Sequence, residues 1–151
     1  MKVRPFQKKD EEAVRGLIST ILNQEFQLEK KAYSDTDLMT VAETYSGKRN
    51  IFLVGEEDAR IVGTIAVKED DKATALLRRL FVDPAFRGRK FGTQLVDEAL
   101  QFCRKQGYKK VVFRGTVGMS AASALIRKKG FLEVERIRFG GIEIIRYGLG
   151  L

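Results

Sequence analysis

The segment that decides the fold is LFVDPAFRGRKFGTQLVDEAL, residues 80–100, in which an apolar strand pattern leads through a basic loop into an amphipathic helix. The apolar run stops before a proline, and the loop that follows holds Arg87, Arg89 and Lys90. A helix begins with unpaired backbone N–H groups and a partial positive charge, for which phosphate is a natural ligand. The segment therefore predicts a strand, loop and helix that bind a pyrophosphate.

Two well-known phosphate-binding loops do not fit this segment. No Gly-Lys-Ser/Thr sequence ends it, as one does in a P-loop, and the GxGxxG spacing of dinucleotide-binding folds is absent. Gly88 and Gly92 leave room for the backbone to approach an anion. The loop by itself leaves one alternative open, a solvated basic turn in which glycine only caps the helix.

The composition of the 151-residue chain, 44% of it apolar, fits one folded domain over residues 1–151. Charges interrupt every apolar run and the N-terminus lacks a signal-peptide core, so we expect no membrane partner and a cytoplasmic location. The chain has no histidine and a single cysteine, Cys103, which excludes histidine-dependent nucleophiles and predicts no metal site. The net charge of +8 suits an anionic partner.

Strand and helix patterns follow one another in the order β-α-α-β-β-β-α-β-α-β-β. Asp10 is placed to cap the first helix, and the second begins at Asp35 or Asp37. Two strand–helix–strand passages imply some parallel pairing, with helices covering the sheet. We therefore predict an α/β fold with one mixed sheet, of the α+β kind. The apolar final strand, IEIIRYGLGL, offers a seam for a homodimer.

These motifs, taken in order, resemble the GNAT superfamily of acyl-CoA-dependent N-acyltransferases. LRRLFVDPAFRGRKFGTQLVDEAL is similar to the family's V-x-P-x-x-R-G strand and coenzyme A loop, and SAASALIRKKGF is similar to its late helix ending in Gly-Phe. The resemblance extends from VRPF near the N-terminus to the C-terminal hairpin. It implies an N-acetyltransferase that moves an acetyl group from acetyl-CoA to a primary amine by direct attack in a ternary complex.

The resemblance also implies which residues bind the coenzyme. The strand before the loop would pair with the pantetheine arm, the loop amides would wrap the pyrophosphate, and the late helix would line the other side. The implied residues are Leu80, Phe81 and Val82 in the strand, Arg87, Gly88, Arg89, Lys90, Phe91, Gly92 and Thr93 in the loop and first helical turn, and Ser120, Ser123 and Arg127 in the late helix. The backbone N–H of Val82 would stabilise the oxyanion, beside a slot left where the family splays this strand from its neighbour.

Three positions depart from the family's pattern. Lys90 replaces the middle glycine of the loop, where its N–H stays available if φ is negative. Ile126 replaces a tyrosine that often protonates the leaving thiolate, and Leu76 replaces a glutamate that some members carry on the coenzyme strand. A water chain or another residue must then accept the proton of the amine. The candidates for the base are Glu25, Glu69 and Tyr33.

The acceptor would enter over the early helices and residues 27–37, where this superfamily usually sets specificity. Glu25, Glu29, Asp35 and Asp37 would attract a cationic amine there. Two other functions stay open. The apolar residues at positions 76 and 126 favour a catalytically silent acyl-CoA sensor or protein-interaction module. The net charge permits a nucleic-acid-binding domain, but without an aromatic-basic platform we expect no nucleic acid partner.

Overall fold

The computed structural model describes residues 1–26 and 36–151 of the chain. The strands are β1 (Lys2–Pro5), β2 (Ile51–Glu57), β3 (Arg60–Glu69), β4 (Thr74–Val82), β5 (Lys110–Thr116), β6 (Leu132–Phe139) and β7 (Ile142–Gly150). The helices are α1 (Glu11–Glu25), α2 (Thr36–Met39), α3 (Val41–Thr44), α4 (Phe91–Lys105) and α5 (Ser120–Lys128). The predicted order of elements and the mixed α/β fold are confirmed, with the second helix in two pieces.

The seven strands form one sheet in the order β1-β2-β3-β4-β5-β7-β6. β4 and β5 are parallel because α4 connects them, and the other neighbouring pairs are antiparallel. The second predicted strand–helix–strand passage gives no neighbouring parallel pair, because the hairpin after β6 returns β7 to the space between β5 and β6.

The position of β7 changes the prediction of a homodimer seam. Both edges of β7 are paired, and its Ile145 and Tyr147 are buried in the core. Among the described residues, β6 is the strand at that edge of the sheet, and its Leu132, Val134 and Ile137 are exposed. A homodimer stays a prediction, and β6 rather than β7 offers a free edge for it.

Apolar side chains cover both faces of the sheet. The larger cluster packs α4 and α5 on one face, around Leu95, Val96, Ile126 and Tyr147, and it contains the buried Cys103. The smaller cluster packs α1, α2 and α3 on the other face. Within the described ranges, no helix combines the length and the apolar character needed to cross a bilayer.

Two details of the N-terminal half differ from the prediction. Asp10 does not cap α1 through its side chain, because its carboxylate accepts hydrogen bonds from the Arg4 guanidinium at 2.8 and 2.9 Å and from the N–H of Gln7 at 2.8 Å. The helix predicted from Asp35 or Asp37 is interrupted at Thr40, whose backbone leaves the helical region. Helical spacing in the sequence did not reveal the interruption.

Candidate functional site

A groove of about 530 Å³ lies where β4 ends, between the last turn of α1 and the N-termini of α4 and α5. Most of the residues predicted to bind the coenzyme line it. They are Leu80, Phe81, Val82, Arg87, Gly88, Lys90, Phe91, Gly92, Thr93 and Ser120. The fold therefore brings the strand, the basic loop and the late helix together around one cavity, as the sequence predicted.

The N-terminus of α4 presents unpaired backbone amides at this groove. Gly88 and Lys90 both have left-handed backbone, with φ of 79° and 63°, which turns the loop sharply into the helix. The first helical hydrogen bond runs from the N–H of Gln94 to the C=O of Lys90, and within the described residues the amides of 91–93 have no acceptor. Amides arranged in this way bind anions. The positive φ of Lys90 differs from the negative value expected, and costs about 1–2 kcal/mol in a residue other than glycine.

Arg87 links the loop to the end of α1. Its guanidinium donates to both carboxylate oxygens of Glu25, at 2.6 and 2.9 Å, and its Nε donates to the C=O of Val82 at 3.1 Å. Both side chains of the ion pair are partly exposed, so solvent screens it and it contributes little to stability. An anion that binds the amides of α4 competes with Glu25 for the same guanidinium.

Two residues of the loop have surroundings that the sequence did not predict. A Cβ on Gly92, which lines the groove, would lie 2.9 Å from Cδ2 of Leu125, so this glycine also lets α4 pack closely against α5. The guanidinium of Arg89 lies 5.1 Å from the centre of the Phe86 ring, and Arg89 does not line the groove. Of the loop's two arginines, Arg87 is therefore the one that borders the groove.

Only Ser120, of the three residues predicted on the late helix, lines the groove. The Oγ of Ser123 is buried, with no hydrogen-bond partner among the described residues. Arg127 is exposed and lies 3.6 Å from a carboxylate oxygen of Glu133. The positions of Ser123 and Arg127 therefore do not support the contacts with the coenzyme that the resemblance implied.

β4 and β5 separate beside the groove. They pair with each other from Thr74 and Lys110 to Leu77 and Phe113. Beyond these residues both strands continue, but no longer pair with each other. A bulge accompanies the separation, because β4 carries an extra residue at Arg79, where φ is 57°. A second cavity, of about 390 Å³, lies in the slot between the strands. The two cavities share four lining residues, Leu80, Phe81, Met119 and Ala122.

The backbone N–H of Val82 points toward this slot. The next residue, Asp83, donates its N–H to the C=O of Val62 in β3 at 2.8 Å. Successive N–H groups of a strand point to opposite edges, so that of Val82 is directed away from β3 and toward the side of β5. Val82 itself lines the groove, so this N–H lies at the groove end of the slot, and its predicted role as oxyanion donor stays a prediction.

The three candidates for the base are placed very differently. Glu25 lines the groove but is held by Arg87. Glu69 pairs with Ala75 at the far end of β4, roughly 20 Å along the strand from Val82, and Arg49 binds its carboxylate at 2.8 Å. This distance excludes Glu69 as the base. Tyr33 lies outside the described residues, as do Glu29 and Asp35.

The two positions at which the resemblance placed acid–base groups are apolar. Ile126 is fully buried in the core between α5 and the sheet. Leu76 lines the second cavity. Within the described residues, no group of three or more Asp, Glu, Cys or His side chains is placed to hold a metal ion.

Asp37 belongs to a buried network of hydrogen bonds and ion pairs, so its carboxylate is not free to bind an acceptor amine. The guanidinium of Arg79 donates to both of its carboxylate oxygens, Tyr45 donates its hydroxyl at 2.7 Å, and Arg78 lies 3.8 Å away. Burial disfavours the charged carboxylate, but the hydrogen bonds from Arg79 and Tyr45 outweigh burial and hold the pKa of Asp37 below its usual value. Burial, followed by the hydrogen bond to Asp37, raises the pKa of Tyr45.

This network bears on the prediction that four acids attract a cationic amine. The two that lie in described segments, Glu25 and Asp37, are both paired with arginine and so do not support it, whereas Glu29 and Asp35 lie outside the described residues. The arginines that line the second cavity, Arg78, Arg79 and Arg114, were not predicted from the sequence. The signal was the Arg-Arg pair inside the apolar strand ATALLRRLFV, since a charge buried in a sheet needs a partner or a ligand.

Residues 17–131 match the model of the acetyltransferase (GNAT) family. A human protein named N-acetyltransferase 8 is 34% identical over 103 residues, which are 64% of this chain and 45% of that protein. The match therefore spans less than half the length of this curated relative.

Two solved structures share the fold over nearly the whole chain. A GNAT-family acetyltransferase from Staphylococcus aureus Mu50 superposes with a TM-score of 0.88 at 20% identity, over 99% of this chain and 98% of its own. An acetyltransferase from Salmonella typhimurium, solved with its cofactor acetyl-CoA, superposes with a TM-score of 0.82 at 17% identity, over 99% of this chain and 92% of its own. At these identities the likeness concerns the fold alone.

Proposed function

Because the chain belongs to the acetyltransferase (GNAT) family, we propose that it transfers an acetyl group from acetyl-CoA to a primary amine. The observation that carries this proposal is the set of unpaired amides at the N-terminus of α4, which line a groove that meets the slot between β4 and β5. An anion site beside a slot is what a coenzyme with a pyrophosphate and a thioester arm requires.

In this proposal the loop holds the pyrophosphate and the strand holds the arm. The amides of 91–93, the Lys90 side chain and the Arg87 guanidinium bind the phosphate oxygens. The outward-facing backbone at Leu80 and Val82 pairs with the amides of pantetheine, as an added strand does. Ser120 borders the arm from the side of α5.

The amine attacks the thioester carbonyl carbon and forms the C–N bond; the C–S bond then breaks, and coenzyme A leaves as a thiolate that takes up the proton released by the nitrogen. The backbone N–H of Val82 donates to the carbonyl oxygen on which negative charge develops. Holding the amine and the carbonyl carbon in one slot supplies much of the rate enhancement. The amine must first lose a proton. Because Glu25 is paired with Arg87 and Glu69 is remote, the proton acceptors that remain are water and Tyr33, which lies outside the described residues.

The test compares the affinities of coenzyme A and of pantetheine, which lacks the pyrophosphate. Arg87→Met keeps the aliphatic stem and removes the guanidinium, and we expect it to weaken coenzyme A by about tenfold or more while pantetheine is unchanged, since one charge-assisted hydrogen bond contributes about 1.5–3 kcal/mol. Calorimetric titration measures both. Arg104→Met, at an exposed arginine near the other end of α4, is the matched control for lost charge.

A second variant separates the guanidinium from the carboxylate that it neutralises. Arg87→Met leaves Glu25 as an uncompensated negative charge beside the phosphates, whereas Glu25→Gln with Arg87→Met removes both charges. We expect the double variant to bind coenzyme A more tightly than Arg87→Met alone but less tightly than the wild type. If Arg87→Met lowered the affinity for pantetheine as much as the affinity for coenzyme A, the loop would not be a pyrophosphate site.

The second candidate function is a coenzyme-binding sensor or interaction module that performs no transfer. The buried Ile126 and the apolar Leu76 favour it, because both usual acid–base positions lack a titratable group. Release of free thiol from acetyl-CoA with a panel of amines distinguishes the two functions. Tight coenzyme binding without acylation of any amine would support the sensor.

A further inference from the structure

Three arginines form a row across neighbouring strands on the face of the sheet that carries α1, α2 and α3. Arg78 and Arg114 each follow the last paired residues of β4 and β5, Leu77 and Phe113, so they lie level with each other across the slot. Arg114 is directly opposite Arg146 in the antiparallel pair of β5 and β7. Residues two positions apart in a strand share a face, so Arg78 and Arg114 share the face of Leu76 and Val112, which line the slot with them.

The described residues give the cavity of the slot a positive charge, because those that line it include Arg78, Arg79 and Arg114 and no acidic side chain. Asp37 neutralises Arg79 from the side of α2 and lies 3.8 Å from Arg78. One carboxylate therefore serves two of these guanidinium groups. The side chain of Arg114 is exposed and makes no hydrogen bond or ion pair with any other described residue.

The arrangement of Arg114 and Arg146 is unfavourable without a ligand. Like charges directly opposite each other in an antiparallel pair destabilise the pair. The Nε of Arg146 is buried and has no acceptor among the described residues, although its Nη1 lies 3.5 Å from Glu135. A buried donor without an acceptor costs free energy, and the like charge opposite adds to that cost.

The row of arginines lies close to the place at which we propose that the acetyl group is transferred. The slot and the coenzyme groove meet at Leu80, Phe81, Met119 and Ala122, so a molecule in the slot borders the place where the thioester arm ends. The other residues of the slot are largely apolar. At about 390 Å³ the slot has the size of a small-molecule site.

We infer that the acceptor is a small primary amine that carries a carboxylate, of the size and chemistry of an amino acid with an apolar side chain. Arg78 and Arg114 bind the carboxylate, since the planar guanidinium matches its two oxygens. Because the slot meets the coenzyme groove at Leu80 and Met119, the amine of a molecule held in this way can face the thioester. The inference rests on the proposed acetyltransferase function, and it reverses the sign of charge that the sequence predicted for the acceptor site.

The first experiment compares amines that differ only in the carboxylate: phenylalanine with phenylalaninamide, and leucine with leucinamide, at saturating acetyl-CoA. We expect kcat/KM to be at least about tenfold higher for each acid, although the amide's amine is the less basic and more often uncharged. Arg114→Gln should lower kcat/KM for the acids by about 10- to 100-fold, the size of one or two charge-assisted contacts, and leave the amides within about twofold. Arg104→Gln, at an exposed arginine on α4, is the control and should change neither.

A binding measurement gives a readout that needs no turnover. The protein saturated with coenzyme A is titrated with N-acetylphenylalanine or its amide, and the arginine Nε–Hε signals are followed by NMR. The signal that is lost in Arg114→Gln should shift with the acid and not with the amide. Because the Arg114 side chain has no partner among the described residues and lies opposite the like charge of Arg146, we expect Arg114→Gln to melt at the wild-type temperature or slightly above it.

The outcomes separate this inference from the function on which it rests. If amides or cationic diamines were acetylated as efficiently as the acids, and Arg114→Gln changed none of these rates, the inference would be overturned and the acetyltransferase function would stand. A shift of the Arg114 signal with the acid, without transfer to any amine, would overturn the transferase and keep the anion site. A preference for phosphoethanolamine over the amino acids, or no shift with the N-acetyl acid, would contradict a carboxylate at this row.

Discussion

Asp37 is the residue whose environment differs most from what its place in the sequence suggests. It looks like a helix cap or a surface acid, yet only 6% of the residue is exposed, and Arg79 and Tyr45 bind its carboxylate. Removing one partner of a buried ion pair leaves the other charge uncompensated, which costs about 3–5 kcal/mol. The pair therefore fixes α2 against the bulge of β4, next to the slot.

The lowered pKa of Asp37 predicts how stability depends on pH. A carboxyl group with a folded-state pKa below its unfolded value contributes stability above the unfolded value, near ~3.9, and loses it as the pH falls through the folded value. We expect Asp37→Asn to lower the free energy of unfolding by about 3–5 kcal/mol at pH 6, with a smaller difference from the wild type at pH 2.5. Urea denaturation at the two pH values measures this, with Asp70→Asn, at an exposed turn, as the control.

Tyr45→Phe is a milder variant in case the asparagine variant does not fold. It removes one hydrogen bond to Asp37 and should lower the free energy of unfolding by about 1–2 kcal/mol at pH 6. Its deficit should also shrink on acidification. Wild-type and variant stabilities that run parallel from pH 6 to pH 2.5 would contradict a native-state carboxylate at this position.

The element that controls the candidate site is the loop between β4 and α4. Its anion-binding shape depends on left-handed backbone at Gly88 and at Lys90. Glycine adopts this conformation without steric cost, whereas lysine does not. The strand before the loop, the helix after it and the basic residues between them were predictable, because each follows from local pattern.

Replacements at Lys90 separate the effect of backbone strain from that of charge. Lys90→Gly and Lys90→Ala both remove the ammonium group, but only glycine relieves the positive φ. We expect the glycine variant to be more stable than the alanine variant by about 1 kcal/mol, less than the full strain because glycine gains entropy in the unfolded chain. Thermal denaturation of the two variants measures the difference, and an alanine variant of equal or greater stability would show that the loop relaxes without strain.

Among the elements, the places of the last two strands in the sheet were the least predictable. The sequence indicates both β6 and β7 and the glycine turn between them. The alternation of apolar and polar residues in each strand, however, fits either a central or an edge position in the sheet. Contacts far apart in the chain place β7 beside β5 and leave β6 at the edge. The break between α2 and α3 was equally hard to predict, because it accompanies hydrogen bonds of Asp37 with Tyr45 and with Arg79, which is far away in the sequence.

At the scale of the whole molecule, the net charge of +8 should favour an anionic coenzyme. Ionic screening shortens to about 3 Å at 1 M salt, so attraction from charges outside the site fades while close contacts persist. We expect the dissociation constant of coenzyme A to rise several-fold between 0.05 and 0.5 M NaCl, and that of pantetheine to change little. Titration calorimetry at four salt concentrations gives the slope. A salt dependence that is the same for both ligands would indicate that the long-range field does not act on the phosphates.

The order of the elements, the mixed sheet, the family and the basic loop at the start of α4 follow from the sequence alone, since periodicity, glycine positions and short motifs are local properties. Which charges pair with one another depends on the packed fold. Glu25 and Asp37 pair with Arg87 and Arg79, whereas the side chain of Arg114 lines the slot without an ion-pair partner in the described part of the chain. Pairing between charges depends on distances across the fold that no pattern along the chain contains, and so the charge of the slot could be recognised only in the packed strands.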